Sequence, residues 1–128
     1  MRWLLDTNVL IDAFAGRLDA IRAMTAARSR GIEWVGYSAM TRLEVFGFAG
    51  LSATDEKGLR ELLAEFHETA ITSEVIEEAI RIRKKISIKV PDAIIAATAL
   101  VGQVELVTRN IGDFKRIAGL TTVDPSAL

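Results

Sequence analysis

The apolar positions of this chain change rhythm at its start. Trp3-Leu4-Leu5 is an unbroken apolar run, Asp6-Thr7-Asn8 is polar, and a helical apolar pattern follows at once. A short apolar run of this kind suits a strand buried on both faces. An acid at the point where such a strand turns into a helix lies at the carboxyl edge of a sheet, where open α/β folds place their ligands. The first strand is expected over 2–5 and a short helix through about Phe14, broken by Gly16. Thr7 or Asn8 can cap that helix, because their side-chain oxygens accept first-turn amides. A second helix is expected over 18–30, with Leu18, Ile21, Met24 and Ala27 at near-helical spacing and Gly31 as its stop.

Residues 32–37 alternate and are rich in β-branched and aromatic side chains, which predicts a second strand. Ser38 is placed to cap the helix that follows, and Gly47 and Gly50 weaken its end. Residues 52–55 open another helix, with Leu59, Leu62, Leu63 and Phe66 as its apolar face, and 67–71 read as a weak third strand. Ser73 is expected to cap a long helix with Val75, Ile76, Ala79, Ile80 and Ile82 inside. Arg83, Lys84 and Lys85 in its last turn match the helix dipole. Pro91 suits the first position of a helix. Residues 93–101 are apolar almost all round, which marks a buried helix, and Gly102 stops it. A fourth strand over 104–108, a short helix over 113–117 and a fifth strand over 121–123 complete the pattern, with Pro125 after it. Strands alternating with helices predict an α/β fold with parallel pairing, right-handed crossovers and helices on both faces. With 128 residues and no repeat, low-complexity tract or linker, residues 1–128 read as a single domain.

Composition narrows the chemistry. Hydrophobic residues make up 50% and the mean hydropathy is +0.26, as in a globular chain. The absence of cysteine excludes disulfides and thiolate metal sites and is compatible with a reducing compartment. A single histidine, His67, argues against Ser-His-Asp or Cys-His machinery. No apolar run approaches the roughly 20 residues that span a bilayer. Asp6 and Asp12 interrupt the only apolar run near the start, so a signal peptide is not expected and a cytoplasmic location is. Lys and Arg total 16 against 17 Asp and Glu, a net charge of -1, so any basic surface for a nucleic acid must be local.

Four acids carry the candidate chemistry. Asp6 follows the first strand, and Glu44 lies one to two turns into the helix after the second. Asp92 sits in the first turn of the buried helix, and Asp113 follows the fourth strand. In a parallel sheet the helix N-termini meet the strand C-termini, so all four are expected on one edge. Carboxylate oxygens suit hard cations such as Mg²⁺ or Mn²⁺. Without a cation such a cluster is disfavoured by like-charge repulsion. Each acid also has a plainer reading: Asp6 and Asp113 as helix caps, Glu44 as a solvated helix charge, Asp92 as an ordinary first-turn acid. Asp12 reads as a surface acid. Arg42, Lys89, Arg109, Lys115 and Arg116 flank these positions as phosphate grips or as solvated charges. Trp3 and Trp34 read as core or interface.

The set Leu5-Asp6-Thr7-Asn8-Val9-Leu10, Arg42-Leu43-Glu44-Val45, Pro91-Asp92-Ala93-Ile94-Ile95-Ala96-Ala97-Thr98-Ala99 and Leu106-Val107-Thr108-Arg109-Asn110 with Asp113-Phe114 resembles the PIN domain. More narrowly it is similar to the VapC toxins of toxin–antitoxin pairs, over essentially the whole chain. The resemblance implies a compact three-layer α/β/α sandwich around a short parallel sheet of about five strands. It implies a Mg²⁺- or Mn²⁺-dependent endoribonuclease that leaves 5′-phosphate and 3′-hydroxyl ends, a homodimer, and a small VapB-like antitoxin as partner. The family's acidic positions carry onto Asp6, Glu44, Asp92 and Asp113, and its polar helpers onto Asn8, Thr108 and Asn110. The reaction expected is hydrolysis of RNA by water activated at one or two metal ions.

Three alternatives compete with this reading. A haloacid-dehalogenase-like phosphatase needs a second acid two residues after the first, where this chain has Asn8. A receiver domain needs an Asp after the third strand, where Thr69-Ala70-Ile71-Thr72 stands. A catalytically silent PIN-like module that binds RNA or protein would lack one of the four acids, and none is missing.

Overall fold

A computed structural model of the chain describes residues 1–17, 20, 22, 26, 29–47 and 49–128. The helix expected over 18–30 and Phe48 fall largely outside these residues. Five strands are described, β1 (Arg2–Leu5), β2 (Trp34–Ser38), β3 (His67–Thr69), β4 (Glu105–Val107) and β5 (Thr122–Val123). Between them run α1 (Thr7–Phe14), α2 (Ala39–Phe46), α3 (Ala53–Leu63), α4 (Ser73–Lys85), α5 (Val90–Gly102) and α6 (Ile111–Phe114). A 3-10 turn, Pro125–Ala127, follows β5. The sheet order is β3-β2-β1-β4-β5 and every described pair is parallel.

Side-chain alternation along β1 divides the core into two. Leu4, with Leu106 of β4, faces α4 and α5, where Val75, Ala79, Ile82 and Ile95 cover it. Trp3, Leu5 and Val107 face the other way, onto Val9 and Leu10 of α1 and Leu63 of α3. This is the α/β/α layering expected. Every residue of α5 from Ala93 to Ala99 is buried, as its all-round apolar pattern predicts. Its many alanines let α4 and the sheet approach closely. No helix among the described residues is long and apolar enough to cross a membrane.

β2 carries a glycine for a steric reason. A Cβ at Gly36 would lie 2.6 Å from the His67 carbonyl oxygen on β3 and closer still to the Trp34 ring. That ring stacks on the His67 imidazole with centroids 5.8 Å apart.

Several local expectations shift by a residue. Thr72, not Ser73, caps α4, with its hydroxyl accepting from the Val75 amide at 3.2 Å. Pro91 is the second residue of α5, not the first. Gln103, not a glycine, takes the left-handed conformation (φ 54°) after α5. The short helix after β4 begins at Ile111, so Asp113 lies within it instead of opening it. Ile76 and Ile80 were expected inside and are exposed, because the buried stripe of α4 runs through Val75, Ala79 and Ile82.

Candidate functional site

The site begins where β1 ends. Asp6 is the N-cap of α1, with an extended backbone (φ -67°, ψ 152°) and only 4% of its surface exposed. Its Oδ1 accepts the Thr7 amide at 2.8 Å, so the cap is Asp6 and not Thr7 or Asn8 as expected. Its Oδ2 accepts the Thr108 hydroxyl at 2.7 Å. Thr108 is fully buried at the end of β4, the strand next to β1, and its own amide is bonded to Val123. The Thr108 hydroxyl oxygen also accepts the Asn110 amide at 2.9 Å. One carboxylate therefore bridges the ends of β1 and β4. The chain leaves β1 toward β2 on one side and returns to β4 on the other, so this is the switch point at which open α/β sheets bind ligands.

Glu44 reaches the same turn from α2. Its Oε1 accepts the Thr7 hydroxyl at 2.8 Å, and that hydroxyl lies 2.8 Å from the hydroxyl of buried Thr41. A carboxylate only accepts, so Thr7 gives its proton to Glu44 and Thr41 donates to Thr7. Asp92 is half-buried in the first turn of α5. Asp113 is exposed on α6, where its Oδ2 accepts the Asn110 side-chain amide at 2.8 Å.

Like charge couples the four acids into a row of neighbouring pairs, Glu44 with Asp6, Asp6 with Asp92 and Asp92 with Asp113. Burial pushes the Asp6 carboxyl up to about 6, against the hydrogen bonds from Thr108 and Thr7, and the charges of Asp92 and Glu44 add to the rise. Burial also raises Asp92, with Lys89 opposing and Asp113 adding. Asp6 thus feels the charges of Asp92 and Glu44, and Asp92 feels that of Asp113. None of the four has an ion-pair partner among the described residues. Asn8, in the first turn of α1, has a buried Oδ1 with no hydrogen-bond partner.

These residues suit a hard divalent cation. The donors are all oxygen, the acids lack cationic partners, and one buried amide oxygen is orphaned. Among the described residues no three acids close into a metal cage. An ion held there would meet at most one or two of the carboxylates directly and would keep several of its waters.

Two basic residues flanking the motifs are already paired. Asp12, expected at the surface, is 9% exposed, and its Oδ2 lies 2.6 Å from Nε of Arg109, with Arg17 near its other oxygen. Arg42 pairs with Glu68. From the sequence, Thr41 has no role and Thr7 only that of a candidate helix cap. A signal was present for Thr41, which stands three residues before Glu44 and so shares its helix face.

The sequence profile of the PIN domain matches residues 3–120. A chain of a toxin–antitoxin complex from Klebsiella pneumoniae is 37% identical, with 95% of this chain and 96% of that one covered and a TM-score of 0.78. FitAcB from Neisseria gonorrhoeae is 27% identical over 98% of this chain and 99% of that one, with a TM-score of 0.74. VapBC2 from Rickettsia felis, bound to a DNA fragment from its promoter, shares the fold at 21% identity and a TM-score of 0.82, with 96% and 98% covered. A search of curated proteins found no match.

Proposed function

The chain belongs to the PIN domain family, and on that premise we propose that it is a Mg²⁺- or Mn²⁺-dependent endoribonuclease, the toxin of a VapBC-type toxin–antitoxin pair. PIN domains are generally nucleases. The observation that carries the reading is the row Glu44, Asp6, Asp92 and Asp113 at the β1/β4 switch point, unpaired with any cation among the described residues and centred on a buried carboxylate.

Of Asp6, Asp92, Glu44 and Asp113, one or two would bind the cation directly and the others through its waters, and the cation would supply Lewis acidity and neutralise charge at the scissile phosphate. Asp6 is oriented by Thr108 and by the Thr7 amide before any ligand arrives. Glu44 is oriented by the Thr7 hydroxyl, itself braced by Thr41. Asn110 steadies Asp113 through its side chain and Thr108 through its amide. The buried Asn8 oxygen has no partner in the protein. Thr108 and Asn8 then act as helpers that fix ligand geometry without binding substrate covalently. No side chain is needed as a nucleophile, in keeping with the lone histidine on β3.

The likeness to a chain of the toxin–antitoxin complex from Klebsiella pneumoniae supports a small VapB-like antitoxin as partner. A homodimer of this single domain and a cytoplasmic location go with the same reading. The test is incubation of purified protein with a labelled structured RNA. Cleavage should need Mg²⁺ or Mn²⁺, stop with EDTA, and vanish in Asp6→Asn and Asp92→Asn, because an amide brings no charge and binds a hard cation poorly. Undiminished cutting by either variant would overturn the assignment.

A further inference from the structure

Beside the acid row lies an open groove of ~490 Å³, walled by the end of α4, the segment before α5, and α6. Arg83, Lys89, Asp92, Asn110, Asp113 and Arg116 line it. Asp92 and Asp113 are the outer half of the acid row, so groove and site are continuous. Three cations face two acids there.

These cations differ from those on the other side of the site. Arg42 is paired with Glu68 and Arg109 with Asp12. Arg83, Lys89 and Arg116 have no carboxylate partner among the described residues. The two arginines are held by backbone carbonyls instead. Arg83 Nε donates to the Ile88 oxygen at 3.2 Å. Arg116 donates from Nε to Asp113 at 3.3 Å and from a terminal nitrogen to Ser87 at 2.9 Å. A carbonyl fixes a guanidinium without neutralising it. The remaining N–H groups keep their charge and their forked geometry, which matches phosphate oxygens.

We propose that this groove seats the phosphodiester backbone of single-stranded RNA next to the cleavage site, with Arg83, Lys89 and Arg116 as its phosphate contacts. The strand therefore leaves the acid row on the α4–α6 side and not past Arg42. The proposal rests on the ribonuclease reading and adds to it a direction and three binding residues.

The test is fluorescence anisotropy with the full chain and a fluorescein-labelled single-stranded RNA of mixed sequence. Titrations run in EDTA, where cleavage is not expected, across a range of salt concentrations. For single strands each lost phosphate contact lowers the log–log salt slope by about 0.7, equivalent to about fivefold weaker binding at about 0.1 M salt. Arg83→Gln and Lys89→Gln should each show that loss, and Arg42→Gln should not. Arg116 also ties two segments together, so Arg116→Gln is compared with Arg116→Lys, which should keep the slope because it keeps the charge. If the wild type cuts RNA with Mg²⁺ but Arg83→Gln and Lys89→Gln bind as it does, the groove is wrong and the nuclease reading stands. If the wild type neither binds nor cuts, the nuclease reading fails and the groove with it. An Arg42→Gln loss equal to that of Lys89→Gln overturns the stated direction.

Discussion

Replacing Asp6 with asparagine should make the metal-free protein gain stability on the wild type as pH rises toward neutral, while removing the proposed RNA cleavage. Asp6 is almost fully buried, and burial is the largest cause of a carboxyl pKa raised from 3.8 to about 6. A raised folded-state pKa means that the folded chain holds its proton longer than the unfolded one. The stabilising share is complete below the unfolded value and is lost as pH rises through the folded value. The whole shift corresponds to about 3 kcal/mol. About 2 kcal/mol of it falls between about pH 4.5 and about pH 7.5. Other groups titrate over the same span, so the wild-type curve alone does not isolate Asp6. The difference between wild type and Asp6→Asn does, because asparagine stays neutral throughout. Its carbonyl oxygen can still accept the Thr7 amide, and its NH₂ must meet a Thr108 oxygen that already accepts from Asn110. That mismatch sets a constant offset at every pH and leaves the pH-dependent part untouched. In EDTA, thermal melts should show the variant gaining on the wild type by roughly 6–10 °C between these two pH values. Mn²⁺ at a hundredfold excess over its Kd should stabilise the wild type by about 2.7 kcal/mol and the variant far less. A difference that is flat with pH would refute the argument, since Asp6 would then carry no uncompensated charge in the folded state.

Thr41→Val keeps the shape of a buried side chain but removes the donor that braces Thr7. It should change stability by no more than about 1 kcal/mol in chemical denaturation and lower the rate of RNA cleavage severalfold. Unchanged cleavage would remove Thr41 from the positioning of Glu44. Gly36→Ala forces a methyl toward the His67 carbonyl and should cost about 1–3 kcal/mol in the same assay; an unchanged midpoint would mean that β2 and β3 separate at no cost. Light scattering at micromolar concentration should report a dimer, and a strictly monomeric wild type would count against the proposed assembly.

The layering was legible because it rests on periodicity. The run before Asp6 and the all-round apolar stretch after Asp92 predict a buried strand and a buried helix, and Trp3–Leu5 and Ala93–Ala99 are all buried. The positions of the acids on one edge followed from parallel topology alone. What periodicity leaves open is set by choices between near-equal neighbours or by distant partners. Asp6, Thr7 and Asn8 can all cap a helix, and which one does is decided by where β1 releases the chain. Thr72 and Ser73 pose the same choice. Five apolar positions on α4 are more than one buried stripe holds, so Ile76 and Ile80 emerge on its flanks. Asp12 reads as a surface acid because nothing near it in sequence announces Arg109, 97 residues away.

Capping and ligand binding are rival readings of Asp6 in the sequence, and the structure makes them compatible. A carboxylate has two oxygens. One satisfies the orphan amide at the start of α1, and the other is held by the neighbouring strand through Thr108. The side chain is therefore ordered by folding itself, before any cation binds, so little rotamer entropy is left for binding to remove. Farther along the row this order declines. Glu44 and Asp113 are exposed, each with a single polar anchor. The same first turn carries two costs to stability, a buried acid with a raised pKa and an unpartnered Asn8 oxygen. A buried acid and an unpartnered amide oxygen two residues apart, both at the start of α1, are the kind of local cost that sites of function carry, although the buried Trp3 Nε1 is unpartnered as well. If that is their origin, Asn8→Ala should stabilise the metal-free protein by removing an unmet acceptor and still cut RNA more slowly. A variant that is less stable and fully active would make the orphaned oxygen a packing accident.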